Sequence, residues 1–318
     1  MTVALALLLG AITAGWLVPR RLQRIDLRRR DPRTLTVTWL ASMIGVGAAG
    51  VSGVVLLLTP EHGAEGPLTW ALNQCVTALQ HGSPPQFEEL IGLASFALLG
   101  ALVLRFVVVG ARELRRLRRE SRQRLAVLRL AGRPDNDSPG TLWLAHDRPL
   151  AFSLLGRPSV IIATEGLTRH LPEAGVAAVL AHERAHLRGR HHLLIAFTEV
   201  VRRTIPFVPL FRQAPVAMRE LVELAADMSA VRTCGPAAVR TALLTVSGHD
   251  APGVALAMGR DTVSLRLERL EHTTLTAGRT RSALSCGAAG ALATAVPFLT
   301  SASLLVTIAV LACPVTGT

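Results

Sequence analysis

The sequence predicts an α-helical membrane protein with four transmembrane helices and an α+β domain on the cytoplasmic side. Three observations predict it. Half of the 318 residues are hydrophobic, too many for an ordinary soluble domain. Four long runs carry almost no charge and are each long enough to cross a bilayer. Arginines crowd the chain after the first and third runs and are missing after the second, the asymmetry that orients membrane helices.

Residues 2–19 are uncharged and mostly apolar, and residues 35–59 form a second uncharged run. Residues 90–110 form a third, interrupted by Arg105, which can reach the headgroups along its own alkyl stem. Residues 283–312 form the fourth, with Pro297 inside it, and a proline is tolerated in a span where neighbouring helices or a kink satisfy the backbone. A cleaved signal peptide is the rival reading of residues 1–19. Signal peptides carry positive charge before the apolar stretch, whereas here it comes after, so an uncleaved span is expected.

Arg20, Arg21, Arg24, Arg28, Arg29, Arg30 and Arg33 come after the first run. Residues 60–89 have no Lys or Arg but contain Glu61, Glu65, Glu88 and Glu89, and a second arginine cluster runs from Arg112 to Arg133. The positive-inside rule then puts both termini outside, loop 60–89 outside, and residues 111–282 in the cytoplasm of a multi-pass plasma-membrane protein. The net charge of +12 would suggest nucleic acid for a soluble chain. With the arginines beside spans, orientation and anionic lipid explain it, and no direct nucleic-acid partner is expected. Leu114, Leu117, Leu125 and Leu128 repeat at near-helical spacing, so the third span should continue as a helix into the cytoplasm.

Residue absences narrow the chemistry. Without lysine there is no Walker-type phosphate site, and without tyrosine no tyrosine oxyanion donor. Cys75, Cys234, Cys286 and Cys313 are not at zinc-finger spacings. Cys75 and Cys313 both fall outside by this topology, but isolated, inert cysteines are the expectation.

Asp135-Asn-Asp-Ser-Pro139 reads as a turn between the basic helix and the segment that follows it. Residues 141–145 and 158–163 favour β-structure, and Gly156-Arg157-Pro158 suggests a hairpin turn, so residues 148–164 should form an antiparallel pair. An exposed edge there would accept an extended peptide as an added strand. A helix should come next, with Pro172 and Glu173 at its start and Gly189 as its stop.

That helix contains His182-Glu183-Arg184-Ala185-His186. Histidines four apart share one helix face, so both imidazoles can reach one metal ion. Glu183 can then face the open position and take a proton from an attacking water. Downstream, Glu223 and Asp227 are also four apart. One can bind metal while the other hydrogen-bonds the far nitrogen of a ligand histidine; the alternative is a solvated acidic helix face. The set points to zinc and to a zincin-type metallopeptidase domain. His191 and His192 lie off the face of the His182–His186 pair and are expected at the surface or facing lipid. Residues 193–211 carry Glu199, Arg202 and Arg203 and should form a packed or interfacial helix, not a span. Arg232 and His192 are candidate oxyanion partners.

Arg148-Pro-Leu-Ala-Phe-Ser-Leu-Leu-Gly156, Pro158-Ser-Val-Ile-Ile-Ala163, Gly166-Leu167, Leu171-Pro-Glu173 and Ala178-Val-Leu-Ala-His-Glu-Arg-Ala-His186 together resemble the metallopeptidase domain of the BlaR/MecR family. The similarity spans roughly residues 1–235. It implies zinc held by His182, His186 and Glu223, with Glu183 as catalytic base and Asp227 as the acid behind a ligand. It also implies a regulatory endopeptidase whose substrate is a cytoplasmic repressor or its own cytoplasmic loop, with a signal-sensing partner or a homo-oligomer. Only residues 313–318 come after the last run, and without lysine no Ser-x-x-Lys site exists, so no penicillin-binding sensor is expected. The alternatives are a quality-control protease of the HtpX type and a zinc-holding scaffold without activity. The expected organisation is a membrane region over 1–110, a zinc metallopeptidase domain over 111–282, and a fourth span with a short outer tail over 283–318.

Overall fold

The computed structural model describes residues 2–27, 30–58, 87–135, 138, 140–156, 158–249, 255–271 and 279–312. Most of loop 60–89, both Cys75 and Cys313, and three residues of the 135–139 turn lie outside them.

Helices α1 (Thr2–Gln23), α2 (Pro32–Leu58) and α10 (Arg279–Ala312) pack against one another. Small residues allow the close approach. A Cβ on Gly45 would come within 2.5 Å of the Thr294 carbonyl oxygen. Helix α3 (Phe87–Ala131) is a single 45-residue helix that leans on α2. It therefore carries the third apolar run into the arginine cluster without a break. Among the described residues, four helices are long and apolar enough to cross a membrane: Val3–Gln23, Pro32–Leu57, Ala94–Ala131 and Ser285–Thr307. Each overlaps one of the four runs read from the sequence, and the third extends well past the expected end at residue 110.

A four-stranded sheet comes after α3, built from β1 (Arg133–Pro134), β2 (Thr141–Leu144), β3 (Ala151–Leu154) and β4 (Val160–Thr164) in the order β1-β2-β4-β3. Strands β3 and β4 pair antiparallel, Ala151 opposite Ala163 and Leu154 opposite Val160, as the hairpin pattern implied. Strand β2 runs parallel to β4. β4 is buried along its whole length, which explains its unbroken apolar sequence.

The rest of the fold is helical: α4 (Glu165–His170), α5 (Glu173–Arg188), α6 (His191–Thr204), α7 (Pro209–Cys234), α8 (Pro236–His249) and α9 (Ala255–Glu271). Helix α6 lies against α3 and α7, so residues 193–204 form a packed helix and not a span. Helix α7 joins two cores. Its first half (Leu210, Phe211, Ala214, Met218, Leu221, Val222) is buried with Ala11 and Ala14 of α1 and Trp39, Met43 and Val46 of α2. Its second half (Ala230, Val231) is buried with Ile161 of β4, Ala178 and Ala181 of α5, and Val239 and Ala242 of α8.

Candidate metal centre

Helix α5 starts after Pro172, whose φ of −65° suits a helix entry, and ends at Gly189. Its buried face is Gly175, Ala178, Leu180, Ala181 and Ala185, and this fixes the rotation that turns His182 and His186 towards α7. Their ring centroids are 4.8 Å apart and their Nε2 atoms 3.0 Å. Glu223 on α7 completes a triangle. Its Oε2 is 3.4 Å from Nε2 of His182, and its Oε1 is 3.4 Å from Nε2 of His186.

Among the described residues, His182, His186 and Glu223 form the group able to hold a metal ion. The triangle fits zinc. Ligand atoms at 2.0–2.1 Å from a tetrahedral centre lie about 3.3 Å from one another, close to the observed 3.0–3.4 Å. Two imidazoles and a carboxylate are also a donor set zinc prefers.

These side chains are held from behind. Asp227, one turn beyond Glu223, has Oδ1 2.9 Å from Nδ1 of His182, which leaves Nε2 able to face a metal ion. Arg266 of α9 donates to both Asp227 oxygens, Nε at 2.6 Å and Nη2 at 2.7 Å, and its Nη1 lies 3.6 Å from Glu223. His186 is supported through its own Nδ1, which is 2.9 Å from Nδ1 of His191.

That last contact corrects the expectation that His191 lies at the surface. It is buried, with 8% of its surface exposed. The offset from the helical face does not apply, because α5 stops at Arg188. Arg190 takes a left-handed conformation (φ 49°) and leads into α6, turning the chain back so that His191 meets His186. Gly189 makes room: a Cβ there would come within 2.5 Å of the His191 ring. His192 is half-buried, with Nε2 3.3 Å from Oγ of Ser153 on β3. Arg232 is exposed and does not line the cavity beside the cluster.

The electrostatics reflect burial and pairing. Burial opposes charge on His182, but hydrogen bonds to Asp227 and Glu223 outweigh it and raise its pKa to about 9. Burial lowers His186 and His191 to about 4. Glu223 and Asp227, despite burial, are held at about 2, Glu223 chiefly by His182 and Asp227 by Arg266 and His182. Glu183 moves the other way. Burial raises it, against the pull of His182 and a hydrogen bond from Ser153.

A cavity of about 190 Å³ opens on the cluster. Its lining is polar at His182, Glu183, Glu223, Asp227 and Arg266 and apolar at Ala178, Val179, Val239, Ala242, Leu243 and Val246. A larger groove of about 470 Å³, bordered by Arg133, Trp143 and Arg169, holds none of the metal-cluster residues. The structure thus brings together all five residues picked out by spacing and adds His191, Ser153 and Arg266. His191 is legible only once the Gly189-Arg190 turn is seen as a reversal. Ser153 and Arg266 carry no motif, and Arg266 is 39 residues from its partner Asp227.

Residues 113–248 match peptidase family M48. The matched region runs from α3 to α8 and contains His182, Glu183, His186, Glu223 and Asp227. It is under half of the chain and supports an M48-type metallopeptidase; it does not name the BlaR/MecR type. No curated protein and no solved structure matches the chain.

Proposed function

We propose that this protein is an integral-membrane zinc endopeptidase whose active site opens to the cytoplasm. The observation that carries the proposal is the triangle of His182, His186 and Glu223 donor atoms, with Glu183 lining the same cavity as His182 and Glu223. The arginines after the first and third apolar helices, on the same side by the positive-inside rule, support the orientation.

Zinc bound by His182, His186 and Glu223 supplies a Lewis acid for the scissile carbonyl and lowers the pKa of a water towards neutrality. The chain's own groups do the rest. Glu183 accepts a proton as the water oxygen adds to the carbonyl carbon. It returns that proton to the departing amine as the C–N bond breaks. Burial raises the pKa of Glu183 and so makes it a better base, and Ser153 orients its carboxylate. Asp227, clamped by Arg266, keeps His182 in the tautomer that presents Nε2. His192, beside Ser153, is the nearer of the two oxyanion candidates named from the sequence.

The biological role is the one the BlaR/MecR resemblance implies: cleavage of a cytoplasmic repressor or of the chain's own cytoplasmic loop. The family match names no regulatory subfamily, so this role rests on the resemblance alone. Reconstitution in lipid vesicles with an unfolded protein substrate tests the activity. Cleavage should stop with a chelator and return with zinc; cleavage indifferent to both would overturn the proposal. Comparing cytoplasmic and membrane proteomes with active and inactive protein tests the role. One accumulating repressor supports regulation, and many accumulating misfolded membrane proteins support quality control.

A further inference from the structure

The turn between α6 and α7, residues 205–208, is short and apolar: Ile205-Pro-Phe-Val208. Phe207 at its tip is 71% exposed, an unusual place for a phenylalanine in water. Three contacts fix its height against the apolar helices. Val208 packs on α1 so closely that a Cβ on Gly15 would lie 2.8 Å from its Cγ1. Arg105 of α3 donates to the Arg203 carbonyl at 2.9 Å. Gln213, one turn into α7, accepts a hydrogen bond of 3.0 Å from Gln23 at the end of α1.

The first two of these markers agree on depth. Gly15 precedes the first arginine of α1, Arg20, by five residues, and Arg105 precedes Arg112 on α3 by seven. At 1.5 Å per residue both put the turn roughly 8–10 Å inside the plane of the first cytoplasmic arginines. The charges nearby are arranged for such a depth. Arg203 reaches back to Glu113 at 2.9 Å, and Glu199 pairs with Arg202 and Arg203. Ile205 and Val208 face the core shared with α1 and α2, while Phe207 faces away from it.

We infer that residues 205–208 are a wedge inserted into the inner leaflet, with Phe207 in contact with lipid acyl chains. This rests on the proposed membrane topology and extends it to an apolar segment too short to span. The wedge seats the start of α7 in the bilayer. Glu223 lies ten residues beyond Gln213, so the metal site stands within about 15 Å of the membrane boundary measured along the helix. Cleavable segments close to the membrane surface are then the ones within reach.

The test is nitroxide accessibility in phosphatidylcholine–phosphatidylglycerol vesicles, using the full chain with its native cysteines replaced by serine. Labels go at Phe207→Cys, at Ile12→Cys on the exposed face of α1, and at Leu130→Cys on the exposed end of α3. Oxygen should reach position 207 at least several-fold better than a water-soluble nickel chelate, as at position 12, with the reverse at position 130. Pro206→Cys supplies the same reading should the Phe207 variant not accumulate. A water-like value at 207 with a lipid-like value at 12 overturns the wedge alone. Water-like values at both overturn the membrane topology and the wedge with it.

Discussion

The Nδ1 atoms of His186 and His191 lie 2.9 Å apart, so one of them must carry a proton and the other accept it. A metal on Nε2 of His186 requires that proton on His186, which makes His191 the acceptor. His191→Phe keeps the ring and removes the acceptor. Zinc affinity should fall roughly 10–100-fold, read by competition with a chelating dye. Unchanged affinity would reduce His191 to a packing residue.

Gly189→Ala should reach the same end by another route. The added Cβ would occupy the space of the His191 ring and push it off His186. Zinc affinity should drop in the single variant, and Gly189→Ala combined with His191→Phe should be little worse than either alone. Additive losses would show that the two positions act separately.

Arg266 is the support that no motif announced, and its removal leaves the Asp227 carboxylate buried without its cation. Arg266→Met should destabilise the protein by about 3 kcal/mol, the order seen when one partner of a buried pair is lost, measured by thermal unfolding in detergent. Wild-type stability in this variant would mean the pair is dispensable.

The pH dependence of that support has a defined sign. Burial alone would raise Asp227, but Arg266 and His182 hold it at about 2, below its ordinary 3.8. Its contribution is present above 3.8 and lost as pH falls through about 2. Burial alone would lower His182, but Asp227 and Glu223 raise it to about 9; it contributes below 6.5 and loses its share as pH rises through 9. The Tm gap between metal-free wild type and Asp227→Asn should therefore be widest at about pH 5 and narrow towards both extremes, roughly pH 2 and pH 9.

Helix α7 shares its apolar core with α1 and α2, so the segment that carries the metal cluster depends on these two apolar helices for part of its packing. Expressed alone, residues 134–280 would expose Leu210, Phe211, Ala214 and Met218. The fragment should aggregate, as seen by size-exclusion chromatography, whereas the full chain in detergent should not. A monodisperse fragment would show that this core is not required.

Much of the fold was readable in the chain because the signals were periodic. Four apolar runs gave four apolar helices, the β-favouring residues flanking Gly156 gave the β3–β4 pair, and four-residue spacings gave His182, His186, Glu223 and Asp227. The unreadable features depended on tertiary placement. His191 sits five residues after His186, and helical geometry sends it elsewhere unless the left-handed Arg190 reverses the chain. The parallel pairing of β2 with β4 needed a partner out of sequence order. Arg266 lies in an ordinary-looking helix and becomes part of the site only because α9 folds back on α7.

In the proposed mechanism Glu183 performs chemistry at a zinc site and does not merely accompany it. Glu183→Gln removes the base and leaves His182, His186 and Glu223 untouched. Zinc content and substrate cleavage should be measured on the same reconstituted sample. About one zinc per chain is expected in both proteins, with a loss of roughly 10²–10⁴-fold in cleavage for the variant. Equal cleavage by wild type and variant, with zinc bound in both, would contradict it.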